Sequence, residues 1–277
     1  MKIERLNSII KTALEEDLPQ GDITSESIID PDSISEAIIL AKEKGILAGI
    51  EVAHRVFQLI DESVAFNKKL EDGQTFSPGQ TLAELKGPSI SILKGERTAL
   101  NFLQRLSGIA TTTHKFVEVL KGSKTVILDT RKTTPGLRTL EKYAVRVGGG
   151  RNHRFNLSEM VLIKDNHLRV VKSISEAVKK AREKVGPRTK IEIEVSSLEE
   201  AKEAIQSGAD VVMLDNMDLE ELKEVVPQLK GKAALEVSGK VDLGKIKELA
   251  SLGVDYISIG SLTHSYKSID ISLEFLG

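Results

Sequence analysis

The sequence predicts an α/β chain, a (β/α) barrel preceded by a smaller N-terminal α+β domain. Three observations carry this. Beyond Gly122, β-favouring runs alternate with helical segments, at residues 125–129, 160–164, 190–195, 211–215, 233–237 and 256–260. Such alternation with buried apolar strands makes a parallel sheet. Nearly every run closes on a polar group: Thr130-Arg131-Lys132, Lys164-Asp165-Asn166, Glu194, Asp215-Asn216, Ser238-Gly239 and Gly260-Ser261. A doubly wound sheet gathers its chemistry at one switch point, whereas every strand of a barrel ends at one shared mouth, so six polar closures favour the barrel. Before Gly122, short strands and helices mix without that alternation, as in an α+β domain.

Taken in order, Ile3, Leu6, Ile10, Ala13 and Leu14 mark an amphipathic helix that stops at Leu18-Pro19-Gln20-Gly21-Asp22. Strands follow at 37–41, 64–66 and 81–85, with a helix at 52–60 and turns at Asp72-Gly73 and Pro78-Gly79. A long helix runs from Ser89 to about Leu106 on a stripe of Leu93, Leu100 and Leu103, with Arg97 standing on the stripe. A buried arginine needs an anion or a path to solvent. Leu137, Leu140, Ala144 and Val147 mark the next helix, ended by Gly148-Gly149-Gly150. Helices at 198–206, 219–226 and 243–252 separate the later strands, and Gly208-Ala209-Asp210 and Gly253-Val254-Asp255 echo one another just before two of them. The expected domains are 1–107 and 108–267, with 268–277 returning to the first.

The bulk numbers narrow the function. Of 277 residues, 40% are hydrophobic, the formal net charge is −2 and there is no cysteine. A core is affordable, a dedicated nucleic-acid binder is not indicated, and disulfides, thiolate metal sites and cysteine nucleophiles are excluded. No apolar run is long enough to span a bilayer, and the opening segment is not a signal peptide, so a cytoplasmic protein is expected.

Against that neutral background, residues 128–156 concentrate positive charge. Arg131-Lys132 leave a strand end, and Asn152-His153-Arg154 leave a glycine-rich loop one helix later. Two cationic clusters so placed can converge on one anion. Arg138, Lys142 and Arg146, spaced i, i+4, i+8, read instead as a solvated helix face. Ile191-Glu192-Ile193-Glu194-Val195 alternates, which sends both glutamates into the barrel, where they need partners such as Lys164 or Arg131-Lys132. Glu192, deeper in the strand, reads as structural, and Glu194 as functional. Asp215 closes its strand as a site residue or a helix cap. Ser238-Gly239 and Gly260-Ser261, with His264 in support, suit a phosphate at the late barrel loops. His54 and His114 read as structural, and His167 as support for Lys164. The mouth thus fits a small anion together with a phosphorylated sugar, with carboxylates for ribose hydroxyls and, through water, Mg²⁺.

At these residues the sequence resembles the quinolinate phosphoribosyltransferase family nearly end to end. The resemblance covers Glu16-Asp17 with Gly21-Asp22-Ile23-Thr24, Gly95-Glu96-Arg97-Thr98-Ala99-Leu100-Asn101, Leu106-Ser107-Gly108-Ile109-Ala110-Thr111, residues 129–136 and 142–154, Ile163-Lys164-Asp165-Asn166-His167, Met213-Leu214-Asp215-Asn216 and Thr263-His264-Ser265. It implies phosphoribosyl transfer from phosphoribosyl pyrophosphate to quinolinate with loss of CO₂. It implies Mg²⁺, a homodimer, and a barrel of fewer than eight strands. By position it assigns Arg131, Lys132, His153, Arg154 and Lys164 to quinolinate and pyrophosphate, Glu194 and Asp215 to ribose hydroxyls and metal, and Ser238, Gly239, Gly260 and His264 to the 5′-phosphate. Lys132, Lys164, Glu194 and Asp215 would be the catalytic set. Arg97 would reach the neighbouring subunit's site. Two positions depart from the family pattern: Lys240, where a second glycine is common, and Tyr266-Lys267, where Ala-Pro is common. The rival readings are a Schiff-base barrel lyase using Lys164, a related protein of molybdenum-transport operons, and a catalytically silent binding protein.

Overall fold

The computed structural model describes residues 3–239 and 241–276, so Lys240 lies outside the described residues. These fall into two compact units. One comprises the chain as far as His114, Thr133–Gly149 and the residues from Thr263 onward; the other comprises Lys115–Lys132 and Gly150–Leu262.

In chain order the elements are α1 (Ile3–Asp17), α2 (Ile23–Ile28), β1 (Ile34–Ala41), β2 (Gly45–Ile46), α3 (Ile50–Ile60), β3 (Ala65–Lys68), β4 (Thr75–Phe76), β5 (Thr81–Pro88), α4 (Ser89–Val119) and β6 (Val126–Leu128). They continue with α5 (Arg138–Val147), β7 (Val161–Ile163), α6 (Asp165–Val171), α7 (Ile174–Val185), β8 (Ile191–Val195), α8 (Leu198–Gln206), β9 (Val211–Asp215) and α9 (Leu219–Leu229). Last come β10 (Ala234–Ser238), α10 (Ile246–Ser251), β11 (Tyr256–Ser258), α11 (Ser261–His264) and β12 (Ile271–Leu276).

The first unit is built on an antiparallel sheet in the order β12-β1-β5-β3. The tail enters it as β12, pairing Ala41 with Ile271 through to Glu36 with Leu276. Helix α4 does not stop near Leu106 but runs on to Val119. Gly108 is no break in it. A Cβ there would sit 2.3 Å from the Lys267 carbonyl oxygen, so the glycine lets the tail cross the helix. The buried residues of α4 include Ile92, Ala99, Leu103, Leu106 and Ala110. Arg97, two residues or roughly half a turn from Ala99, is exposed, which corrects its placement on a buried stripe.

Helix α5 packs within this unit through polar anchors. Glu141, fully buried, takes an ion pair from Arg105 and the Thr134 N–H at 3.0 Å. The Tyr143 hydroxyl donates to Asp72 at 2.6 Å, and Asp72 also accepts the N–H groups of Gly49 and Ile50 where α3 begins. Burial, and then the Asp72 contact, raise the Tyr143 pKa. The expected solvated row does not form: Arg146 is exposed, but Lys142 is 1% exposed. The buried arc of α5 is wide, taking in Leu140, Glu141, Lys142, Ala144 and Val145, so the lysine stem is buried with its apolar neighbours. At the departure Tyr266, the ring stacks 4.9 Å from the Arg105 guanidinium and helps hold it.

The second unit is an all-parallel six-stranded sheet in the order β6-β11-β10-β9-β8-β7. Every neighbour is consecutive in the chain except one, and that pair joins the last strand to the first. A doubly wound sheet reverses direction at a switch point; this circular order is that of a barrel. It is incomplete, with six strands and a seam between β6 and β7. At the β6 edge, Arg151 donates its N–H to Ile127 O at 2.8 Å and accepts the Asp129 N–H at 3.1 Å.

The repeated Gly-x-Asp has a physical reason. Asp210 donates its N–H to Ile191 O at 2.8 Å, and its carboxylate accepts the Ile191 N–H at 2.7 Å. Asp255 does the same to Leu235, at 2.9 and 2.8 Å. Each aspartate clasps the first or second residue of the preceding strand, at the end of the barrel opposite the polar closures.

Candidate active site

The C-terminal strand ends of the second unit hold ten of the expected residues: Arg131, Lys132, His153, Arg154, Lys164, Glu194, Asp215, Ser238, Gly239 and Gly260. Strand parity places the carboxylates. Glu192 and Glu236 stand on β8 and β10, with β9 between them. In a flat sheet such strands lie roughly 10 Å apart. Both carboxylates nevertheless reach one nitrogen, His153 Nε2, at 2.9 Å from Glu192 and 3.8 Å from Glu236. These side chains therefore share one face of the sheet, the inner face in a barrel order. Each glutamate is 1% exposed. Burial, and then the charge of Glu192, push Glu236 up to about 7.

The loop after Gly150 is clamped to the end of β6. Asp129, fully buried, accepts the His153 N–H at 2.9 Å and the Asn152 side-chain amide at 2.5 Å. Arg154 follows, 7% exposed, and donates Nη1 to Met160 O at 3.1 Å. Its Nε is buried with no hydrogen-bond partner among the described residues. Burial, and then the charge of Arg131, lower its pKa, while Glu192 and Glu194 oppose the shift. A desolvated guanidinium with spare donors beside a second arginine is a seat for an anion.

Across the mouth, Lys164 forms an ion pair with Glu194, as the alternation in β8 anticipates. Its backbone N–H donates to His167 Nδ1 at 2.9 Å, the expected supporting contact. Asp215 lies at the end of β9, partly exposed, and accepts the Asn216 amide at 2.8 Å. Asn216 takes a left-handed φ of 56°, and its N–H meets Ser238 O at 3.3 Å. Gly239 has φ 138°, open to glycine alone, and a Cβ there would press on Asn216 at 3.3 Å. Arg97 and His264 belong to the first unit, where His264 is exposed with Nδ1 2.6 Å from Ser265 Oγ. A cavity of about 920 Å³ in that unit, lined by Glu16, Asn101, Arg105 and Tyr266 among others, contains none of the residues assigned to the chemistry.

Two buried groups escaped the sequence reading. Glu236 is a lone acid in an apolar strand, with the same parity as Ser238, and that parity is the signal that could have found it. Asp129 carried no local signal beyond its place at a strand end.

The fold and the mouth define a (β/α)-barrel enzyme that handles a polyanionic substrate. The comparisons with known proteins agree. Residues 109–274 match the family model "Quinolinate phosphoribosyl transferase, C-terminal domain", and residues 22–107 match the corresponding N-terminal domain. The probable nicotinate-nucleotide pyrophosphorylase [carboxylating] of Bacillus subtilis is 45% identical over 270 residues, covering 98% of this chain and 93% of that protein. The crystal structure of NadC from Streptococcus pyogenes superposes with a TM-score of 0.94 at 43% identity, covering 100% of this chain and 99% of that one. The nicotinate-nucleotide pyrophosphorylase of Francisella tularensis gives 0.95 at 41%, covering 100% and 98%. The chain belongs to the quinolinate phosphoribosyltransferase family.

Proposed function

We propose that this chain transfers the phosphoribosyl group of phosphoribosyl pyrophosphate to quinolinate with loss of CO₂. The products are nicotinate mononucleotide and pyrophosphate, and the step belongs to de novo NAD synthesis. The observation that carries it is the buried Arg154 guanidinium beside Arg131, a seat for carboxylates that neutral substrates would leave unpaid. As pyrophosphate leaves the anomeric carbon, cations of the mouth, Lys132 and Lys164 among them, offset the charge that develops. The pyridine nitrogen needs no general base to attack. Positioning by Arg131 and Arg154 supplies much of the rate. The positive ring nitrogen then stabilises the ylide as the adjacent carboxylate departs. Ser238, Gly239 and Gly260 are assigned to the 5′-phosphate, with His264. We place the enzyme in the cytoplasm; among the described residues no helix is long and apolar enough to cross a membrane.

Mixing the protein with quinolinate, phosphoribosyl pyrophosphate and Mg²⁺ should yield nicotinate mononucleotide and CO₂. Nicotinate, lacking one carboxylate, should be turned over poorly; equal turnover of both acids would remove the dicarboxylate reading. The lyase alternative is less favoured, because the Lys164 amine lies against Glu194 rather than in the apolar pocket a Schiff-base lysine uses. The relatives named for the carboxylating pyrophosphorylase reaction likewise weigh against a molybdenum-transport role and a silent binder.

Glu194 and Asp215 end adjacent strands and are partly exposed, so their oxygens fit Mg²⁺ held through water. Bound there, the ion would help neutralise the leaving pyrophosphate. Glu194→Gln and Asp215→Asn should each cut turnover and move the Mg²⁺ dependence to higher concentration. An unmoved Mg²⁺ titration in both would mean that substrate and water alone hold the metal. The enzyme works as a homodimer in this reading, with the exposed Arg97 of one chain completing the mouth of the other.

A further inference from the structure

We propose that His153 is a positioning residue: held as its neutral Nε2–H tautomer between the Arg154 backbone and the buried Glu192–Glu236 pair, it aims the Arg154 guanidinium at the anionic substrate without touching the substrate itself. The proposal rests on the reading of Arg154 as a substrate anchor, and it brings Glu192 and Glu236 into the machinery as residues that act through His153.

The argument begins with a donor that has no choice. The Arg154 backbone N–H lies 2.7 Å from His153 Nδ1. A backbone amide can only donate, so Nδ1 must present its lone pair. The single ring proton then sits on Nε2, which faces Glu192 Oε2 at 2.9 Å and Glu236 Oε2 at 3.8 Å. Both ring nitrogens are thus committed to the protein, in a side chain that is 8% exposed. One histidine and two glutamates whose ligand atoms all lie within 4.8 Å of one another have the composition of a metal site. The tautomer argues otherwise, because a protonated Nε2 has no lone pair to give a metal.

The same ring links two parts of the barrel. The His153 and Asn152 contacts to Asp129 pin the loop to β6, and the imidazole pins it to β8 and β10. Arg154 is the next residue, and its N–H donates to the same imidazole. Its guanidinium is more than nine-tenths buried with an unpartnered Nε. Such a donor binds an anion well only if its backbone is held in place beforehand. Glu192 and Glu236 each keep a second oxygen, Oε1, without a hydrogen-bond partner among the described residues. Two buried acids are therefore directed at one imidazole.

The test starts with the wild-type protein. Histidine labelled with ¹⁵N gives five side-chain pairs, and His153 is assigned from its loss in His153→Gln. The expected spectrum has a proton-bearing Nε2 and a bare Nδ1, unchanged when quinolinate saturates the protein. An Nδ1–H or doubly protonated ring, free or with quinolinate, would overturn the proposal. The second arm uses kinetics. Glu192→Gln and His153→Gln should each raise the quinolinate KM about 10- to 100-fold and leave the phosphoribosyl pyrophosphate KM in place. The double variant should be no worse than His153→Gln alone, since the two residues act as one unit. Additive losses would overturn it. Arg154→Ala separates this from the underlying reading. If that variant keeps full quinolinate affinity, Arg154 is not the anchor; the His153 tautomer then still stands or falls on the spectrum.

Discussion

Arg97→Ala and Lys164→Ala should each be nearly inactive alone, and co-refolding the two should restore roughly a quarter of wild-type activity. The expectation follows from where the two cations lie. Lys164 stands at the mouth of the barrel, paired with Glu194. Arg97 is exposed on α4, although Thr98, Ala99 and Leu100 beside it are buried. An arginine so directed has no structural task in its own chain's core, and the dimer reading gives it one in the neighbour's mouth. Random reassortment makes about half the dimers heterodimers. In each of these, one site joins an intact Lys164 with an intact Arg97 and the other carries both defects. If both residues served the same chain's site, every heterodimer site would retain one defect. Heterodimers confirmed by native mass spectrometry that regain no activity would refute the shared site.

Arg105→Met should cost about 3–5 kcal/mol of stability, the scale for removing one partner of a buried ion pair. The Tm should fall by roughly 5–10 °C. Glu141 is fully buried and takes Arg105 on Oε1 and the Thr134 N–H on Oε2. Without the guanidinium, the carboxylate keeps one neutral donor and no counter-charge. Arg105 also carries the Tyr266 ring and a hydrogen bond to Thr134, so its loss loosens the tail and the start of α5 together. Adding Glu141→Leu to Arg105→Met should recover part of the loss, because the stranded charge is gone. Recovery should stop short of wild type, since Thr134 N–H loses its acceptor. Calorimetric melts of the two variants check this, and an unchanged Tm in Arg105→Met would show that the pair contributes nothing.

What the sequence by itself determined is what local periodicity and punctuation encode. The six barrel strands fall within two residues of their expected places, because short apolar runs bounded by glycine and polar groups have few other folds. Their polar closures named eight residues of the mouth, the glycine-rich loop after α5 named His153 and Arg154, and alternation in β8 sent Glu192 and Glu194 inward and matched Lys164 to Glu194. The Gly-x-Asp echo was legible as a repeat, though its role in clasping the preceding strand was not.

The tertiary structure decided which residues of like parity meet. Glu192 and Glu236 are 44 residues and two strands apart. Both meet one imidazole nitrogen because their strands share a sheet face under the loop that carries His153, an arrangement set by the whole ring of strands. Asp129 became an anchor because the loop returns to β6 across the seam, a closure that no window of sequence contains. Helix phase was decided in the same way. A shift of one residue in the buried arc of α4 turns Arg97 from core to solvent, and α5 buries Lys142 because its neighbours surround a wide arc. Intrinsic helix-face patterns leave that phase free within about one residue, and the packing partners, distant in the chain, select it.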